Sequence, residues 1–199
     1  MKKYILFGIV VLLGIFGLTM FQKSSQPPST TPNKTEDQPL STISDQTTQS
    51  TPSSIIIDVN DAQKAIIKTS KGEITLTLYP NDASNTVVNF IAKAKSGFYK
   101  SLTFHRVEDW VIQGGDPLGD GTGGGEMPTE LNNKPFFAGS LGVARGEDIK
   151  ISNDAQFFIT KKDSAFLNSQ YTNFGIVTKG MDIVEKIEVG DKILQISTE

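Results

Sequence analysis

Residues 104–116 read Phe104-His105-Arg106-Val107-Glu108-Asp109-Trp110-Val111-Ile112-Gln113-Gly114-Gly115-Asp116, or FHRVEDWVIQGGD. Two short apolar runs, Leu102–Val107 and Trp110–Gln113, stand on either side of an acidic pair, the pattern of two strands with a tight connection between them. Strand neighbours point to opposite faces, so Phe104 and Arg106 are expected on one core-facing side and His105 on the other. An arginine so placed is costly unless it has partners or faces a groove. Gln113 in the next run and Gln156 in a later one are the candidate partners.

The same texture extends in both directions. Ala65–Thr69 and Gly72–Tyr79 are separated by Ser70-Lys71, and Ile74, Leu76 and Leu78 alternate with Glu73, Thr75 and Thr77, which predicts a hairpin with one buried face. Over Ser84–Ser96, Val87, Phe90, Ile91 and Ala94 fall on one helical face, and Gly97 stands where a helix C-cap belongs. Further short apolar runs occupy Gly139–Ala144, Gln156–Thr160 and Tyr171–Thr178. A short helix is predicted at Met181–Ile187 and a last strand at Lys192–Ser197. Many short strands with few helices indicate a mainly β unit, an antiparallel barrel or sandwich.

That unit does not fill the 199 residues. Residues 4–21 carry no charge and follow Lys2 and Lys3. As a helix these 18 residues span roughly 27 Å, close to a bilayer core of about 30 Å. The run is longer than a signal-peptide core and no small-x-small site follows it, so residues 1–21 are expected to be an uncleaved membrane anchor. The alternative is a signal segment, with secretion after cleavage. The two lysines place the remainder outside the cell membrane, as a single-pass protein with an extracytoplasmic C-terminal domain. In residues 22–54, Ser, Thr, Pro and Gln fill 25 of 33 positions, too polar a composition to offset its ordering entropy, which predicts a disordered tether. The folded domain is expected over residues 55–199, long enough for one sizeable core.

Several chemistries are poorly supported. The domain is acidic, with no basic stripe interleaved with aromatics, so nucleic acid is not an expected partner. Gly119, Gly121 and Gly124 satisfy GxGxxG, but Glu126-Met127-Pro128-Thr129 follows with no helical periodicity, and the loop is read as a flexible surface segment rather than a dinucleotide site. No GxSxG elbow is present, and one histidine with no cysteine is a weak basis for a triad or a metal site. No cofactor or metal is therefore expected. His105, alone in an apolar run, is read as a hydrogen-bonded structural residue.

The residues resemble a known family. FHRV followed by QGGDP at 113–117, GTGGG at 121–125, GSLGVAR at 139–145, NDAQFFI at 153–159, Phe166-Leu167 and YTNFG at 171–175 look like the cyclophilin peptidyl-prolyl isomerases, in their family order and across residues 65–199. The resemblance implies an eight-stranded antiparallel barrel capped by two α-helices, with an active site in a groove on its outer surface. Rotation about an X-Pro bond breaks amide conjugation across a barrier of about 18–20 kcal/mol, leaving a nitrogen lone pair able to accept a hydrogen bond. A fixed donor favouring the twisted state beside an apolar pocket suffices, with no proton transfer, covalent intermediate or metal. Arginine suits the task because its guanidinium always carries donors. By resemblance Arg106 is the catalytic donor and Gln113 helps orient the groove. Trp110, Val111, Phe158 and Leu167 are implied as the proline pocket, and Ala144, Arg145, Gln156, Phe166 and Tyr171 as the adjoining peptide groove. The implied partners are proline-containing segments of unfolded or exported proteins.

The chain departs from the family pattern in the opening stretch. It is one residue shorter between Arg106 and Gln113, and Glu108-Asp109 replaces an apolar-Pro-Gly or apolar-Pro-Asn turn. Trp110 stands for phenylalanine, Val111 for methionine, Phe166 for tryptophan and Tyr171 for histidine. The change at 166 implies weak sensitivity to cyclosporin. The altered turn leaves open a noncatalytic peptide-binding or scaffold module with the same fold.

Overall fold

The computed structural model describes residues 64–198. The membrane segment and tether expected at 1–54, and the start of the domain at residue 55, lie outside the described residues. Among the described residues no helix is long and apolar enough to cross a membrane.

The elements in chain order are β1 (Lys64–Thr69), β2 (Gly72–Leu78), α1 (Ser84–Lys95), β3 (Phe104–Val107), β4 (Val111–Gly114), β5 (Glu126–Pro128), β6 (Ser140–Arg145), β7 (Ile151–Thr160), a 3-10 turn at Ala165–Leu167, β8 (Asn173–Lys179), α2 (Met181–Lys186) and β9 (Ile193–Thr198). Eight strands run in the hydrogen-bonded order β3-β4-β7-β6-β8-β2-β1-β9, and β5 pairs with the first part of β7; every pairing is antiparallel. The two ends of this order meet. Ile193 N donates to Leu102 O at 2.8 Å, Phe104 N to Asp191 O at 2.9 Å and Gly190 N to Phe104 O at 2.9 Å, so the sheet curls round until its flanks are joined. The mainly β, eight-stranded antiparallel fold with two helices is the one expected.

Alternation in β2 buries Ile74, Leu76 and Leu78 as expected, and α1 turns Val87, Phe90, Ile91 and Ala94 inward. Gly97, at φ 76°, provides the left-handed residue that ends α1. The start of α1 has no local side-chain cap. Instead the Glu130 carboxylate, from a loop far along the chain, accepts from Asn85 N at 3.0 Å and Thr86 N at 2.8 Å. A negative charge there satisfies orphan N–H groups and complements the helix dipole. Inside the curl, Phe90 meets Tyr99 and Phe174 at 5.4 Å and Phe157 at 5.7 Å between ring centroids. Each such pair contributes about 0.5–1.5 kcal/mol beyond its area.

Strand β7 explains where the outer surface acquires a second apolar cluster. Residues 155–160 are all buried. Phe157 and Ile159 enter the interior core, while Phe158 joins Val111, Phe136 and Leu167 in a separate cluster flanked by Trp110 and Tyr171. Burial on both faces erases the period-2 signal, so the strand reads only as an apolar run. Its first half, Ile151-Ser152-Asn153-Asp154-Ala155, is polar, and it and its partner β5 were not predicted from the sequence.

Candidate active site

A groove of about 380 Å³ opens over the second cluster, lined by residues of β3, β4, β6 and β7, the turn after β3, the glycine-rich loop and the segment following β7. Its floor is a cross-strand row. Arg106 pairs with Gln113, Gln113 with Phe158, and Phe158 with Gly142, so four neighbouring strands each bring one position to the same outer face. Side chains directly opposite across antiparallel strands approach within interaction distance.

Arg106 reaches this row because β3 is irregular. Phe104 pairs with Gly114 and Arg106 with Gln113, with a register shift between them, so His105 is an extra residue. A bulge of this kind resets the alternation. Phe104 is therefore wholly buried in the interior core, whereas Arg106 faces the groove, contrary to the expectation that the two share a side. The bulge also brings His105 to the groove wall. Among the described residues neither imidazole nitrogen has a hydrogen-bond partner, which differs from the hydrogen-bonded histidine expected. Burial holds its pKa below the usual histidine value, partly offset by the carboxylates of Asp116 and Asp120.

The Arg106 guanidinium is held from two directions. Its Nη1 donates to Gln113 Oε1 at 3.2 Å and its Nε to Glu108 Oε1 at 2.7 Å. Gln113 is fixed in turn, donating from Nε2 to Gln156 Oε1 at 2.9 Å. Gln156 is 3% exposed and donates onward to Gly121 O at 3.0 Å and Gly123 O at 2.8 Å. It thus stands behind Gln113, not on the groove wall. Among the described residues Nη2 has no acceptor, so this groove-lining arginine retains two N–H groups there.

The glycine-rich loop behind this chain is pinned rather than free. Asp116 accepts from Leu118 N at 3.0 Å and Gly121 N at 2.6 Å, Asn153 Nδ2 donates to Gly123 O at 3.0 Å, and Asp154 Oδ1 accepts from Gly125 N at 2.6 Å. The loop serves as a wall, and Asp120 and Gly121 from it line the groove.

The apolar part of the groove contains Trp110, Val111, Phe158 and Leu167 together, the four residues singled out for a proline pocket. Ala144, Arg145 and Tyr171 adjoin them. Arg145 lies 4.5 Å over the Tyr171 ring, with its donors turned to the carbonyls of Gln170, Gly146 and Glu147. Phe166 is 66% exposed and lies outside the cavity, touching it only through an edge contact with Trp110 at 5.2 Å. Three contributors were not identified from sequence. Phe136 stacks under Phe158 at 5.7 Å from a stretch with no periodicity to mark it. Glu108 reaches Arg106 from the turn that departs from the family pattern, and it was given no role there. Gly142 was visible as a glycine inside a strand run, a sign of close approach.

The arrangement offers a preorganised, permanently charged donor beside a rigid apolar pocket, and the described lining contains no serine, threonine, cysteine or lysine. Such a site stabilises a developing acceptor without proton transfer. A model of the family described as cyclophilin type peptidyl-prolyl cis-trans isomerase/CLD matches residues 64–197. A peptidyl-prolyl cis-trans isomerase of Synechococcus elongatus is 39% identical over 138 residues, covering 67% of this chain and 94% of the relative. One from Helicobacter pylori is 42% identical over 137 residues, covering 65% and 83%. The crystal structure of a Cryptosporidium parvum cyclophilin type peptidyl-prolyl cis-trans isomerase in the presence of the dipeptide ala-pro matches with a TM-score of 0.65 and 27% identity, over 69% of this chain and 99% of that one.

Proposed function

The chain belongs to the cyclophilin-type peptidyl-prolyl cis-trans isomerase family, and on that membership we propose how its groove works and where in the cell it acts. The activity is rotation of X-Pro bonds. Arg106 is the residue that favours the twisted amide, by donating from Nη2 to the prolyl nitrogen as its lone pair is released from conjugation. Gln113 holds the guanidinium in place, and Gln156 holds Gln113. The proline ring enters the pocket of Trp110, Val111, Phe158 and Leu167, and the flanking peptide runs past Ala144, Arg145 and Tyr171, with Phe166 at the rim. A solved relative studied with an ala-pro dipeptide supports a proline-containing peptide as the substrate.

The carrying observation is the row Arg106–Gln113–Phe158, which sets a donor on β3 and an apolar floor on β7, one strand apart across β4 of one rigid sheet. Donor and pocket act differentially on the twisted state, which is what lowers a rotational barrier.

Residues 1–21 serve as a membrane anchor, residues 22–54 as a tether, and the domain from residue 55 onward works on the extracytoplasmic side on exported chains. The support is the uncharged run behind Lys2 and Lys3 and the tether's composition. Two experiments test the proposal. Cis-to-trans relaxation of a short Ala-Pro peptide is expected to accelerate with the full chain and to lose about 100-fold or more of that acceleration in Arg106→Ala, the scale of removing one transition-state donor. Peptide binding without faster exchange in the wild type would instead support a noncatalytic module. Protease added to intact cells is expected to remove the domain, and full protection would place it inside.

A further inference from the structure

The turn that shortens the path from Arg106 to Gln113 carries a carboxylate bonded to two different parts of the site. Glu108 Oε1 accepts from Arg106 Nε at 2.7 Å, and Glu108 Oε2 accepts from Trp110 Nε1 at 2.8 Å. Arg106 Cζ lies 5.4 Å from the Trp110 ring centroid, so guanidinium, carboxylate and indole close a small circuit. The turn is tight: Glu108 N donates to Val111 O at 2.9 Å, which brings side chains 108 and 110 to one side of the hairpin end. We propose that Glu108 is a positioning residue of the isomerase, locking the donor and the pocket's indole wall in one geometry through its two carboxylate oxygens.

The physical case rests on what each bond removes. A free arginine side chain carries about 2 kcal/mol of rotamer entropy, which a donor must lose before it can stabilise a transition state. Gln113 alone holds one Nη and leaves the guanidinium free to pivot about that contact. A second bond at Nε, on the opposite side of the fork, fixes the plane and leaves Nη2 for the substrate. The Glu108–Arg106 pair is partly exposed, with side chains 45% and 42% accessible, so its worth lies in orientation and little in folding stability. The indole would otherwise turn about its χ angles, since Trp110 is only partly buried and its other ring contact is with the exposed Phe166. Charge-assisted bonds at 2.7–2.8 Å are at the short, strong end for such pairs.

The inference rests on the reading of Arg106 as the donor, and the experiment separates the two. The purified full chain is compared with Glu108→Ala, Glu108→Gln and Arg106→Ala, measuring kcat and KM for an Ala-Pro tetrapeptide and the emission of Trp110, the only tryptophan in the chain. Glu108→Ala is expected to lower kcat about tenfold with KM changed less than twofold, because Val111, Phe158 and Leu167 still hold the ring. Trp110 emission is expected to shift as its N–H loses the carboxylate. Glu108→Gln, whose amide oxygen accepts only one of the two bonds, is expected to fall between, at about threefold. Wild-type kcat in both Glu108 variants, or a rise in KM with kcat unchanged, overturns the proposal even if Arg106→Ala is inactive. Wild-type activity in Arg106→Ala overturns the underlying reading of the donor.

Discussion

The ring of Phe158 lies directly over Gly142. The two are register partners on β7 and β6, and a Cβ added at Gly142 would stand 2.2 Å from Cζ of the ring. Phe158 is also stacked on Phe136 below and meets Tyr171 edge-on at 5.7 Å. The floor of the pocket is thus set by the absence of one side chain.

Gly142→Ala should therefore act on the substrate before it acts on the fold. The methyl group forces Phe158 up into the groove, and overpacking of this kind costs about 1–3 kcal/mol. KM for an Ala-Pro peptide is expected to rise about tenfold, which corresponds to about 1.4 kcal/mol of lost contact. Steady-state kinetics beside a urea denaturation curve checks both numbers, and an unchanged KM would mean that Phe158 does not contact the substrate.

Gln156 gives a test of support from behind the site. It joins Gln113 to two carbonyls of the glycine-rich loop and is itself buried. Replacing it by leucine takes the acceptor from Gln113 Nε2 and the donor from Gly121 O, while Gly123 O keeps Asn153 Nδ2, at about 1–3 kcal/mol of stability. Activity is expected to fall about tenfold as Gln113 loses its orientation, while Arg106 remains chemically intact. If turnover is unaffected, Gln113 does not need this brace.

Glu130 isolates stability from activity. Its carboxylate accepts four hydrogen bonds from Asn85 and Thr86 at the start of α1, two of them from backbone N–H groups. Glu130→Ala is expected to cost about 1–2 kcal/mol, the scale of a lost N-cap. Kinetic constants should stay at wild-type values, since Glu130 does not line the groove. Chemical denaturation and turnover measured on the same sample decide the matter.

The sole histidine makes the chain's pH response traceable. Burial depresses the His105 pKa, so the folded protein holds the neutral imidazole and the unfolded chain binds the proton more readily. This contribution is fully present above the ordinary histidine pKa and is lost as pH falls through the depressed folded value. Stability of the wild type is expected to drop further than that of His105→Phe between about pH 8 and about pH 5. Its one set of imidazole NMR signals should titrate below the ordinary value of about 6.5. A titration at or above that value would contradict the desolvation of this half-buried ring.

Local pattern carried most of the fold. Alternation in β2, the helical spacing of Val87, Phe90, Ile91 and Ala94, and the punctuating glycines are properties of neighbours in the chain, and each element so marked formed near its expected bounds. The order of motifs from FHRV to YTNFG also marked the family, because that order is linear information. The polar half of β7 was not legible: Ile151–Ala155 becomes a strand by pairing with β5 and β6, and no local preference announces it.

Within the site, the sequence by itself determined the chemistry: which side chain is a permanent donor, and which apolar residues are available to hold a ring. Only the tertiary structure decided which way they face. The bulge at His105 reverses the parity that strict alternation predicts for Arg106, because one extra residue in a pairing flips every side chain after it. The bracing of Gln113 by Gln156, the stacking of Phe136 under Phe158, the space left by Gly142 and the carboxylate of Glu108 between donor and indole depend on distances across strands and turns. Those distances do not exist until the sheet has curled and its registers are set.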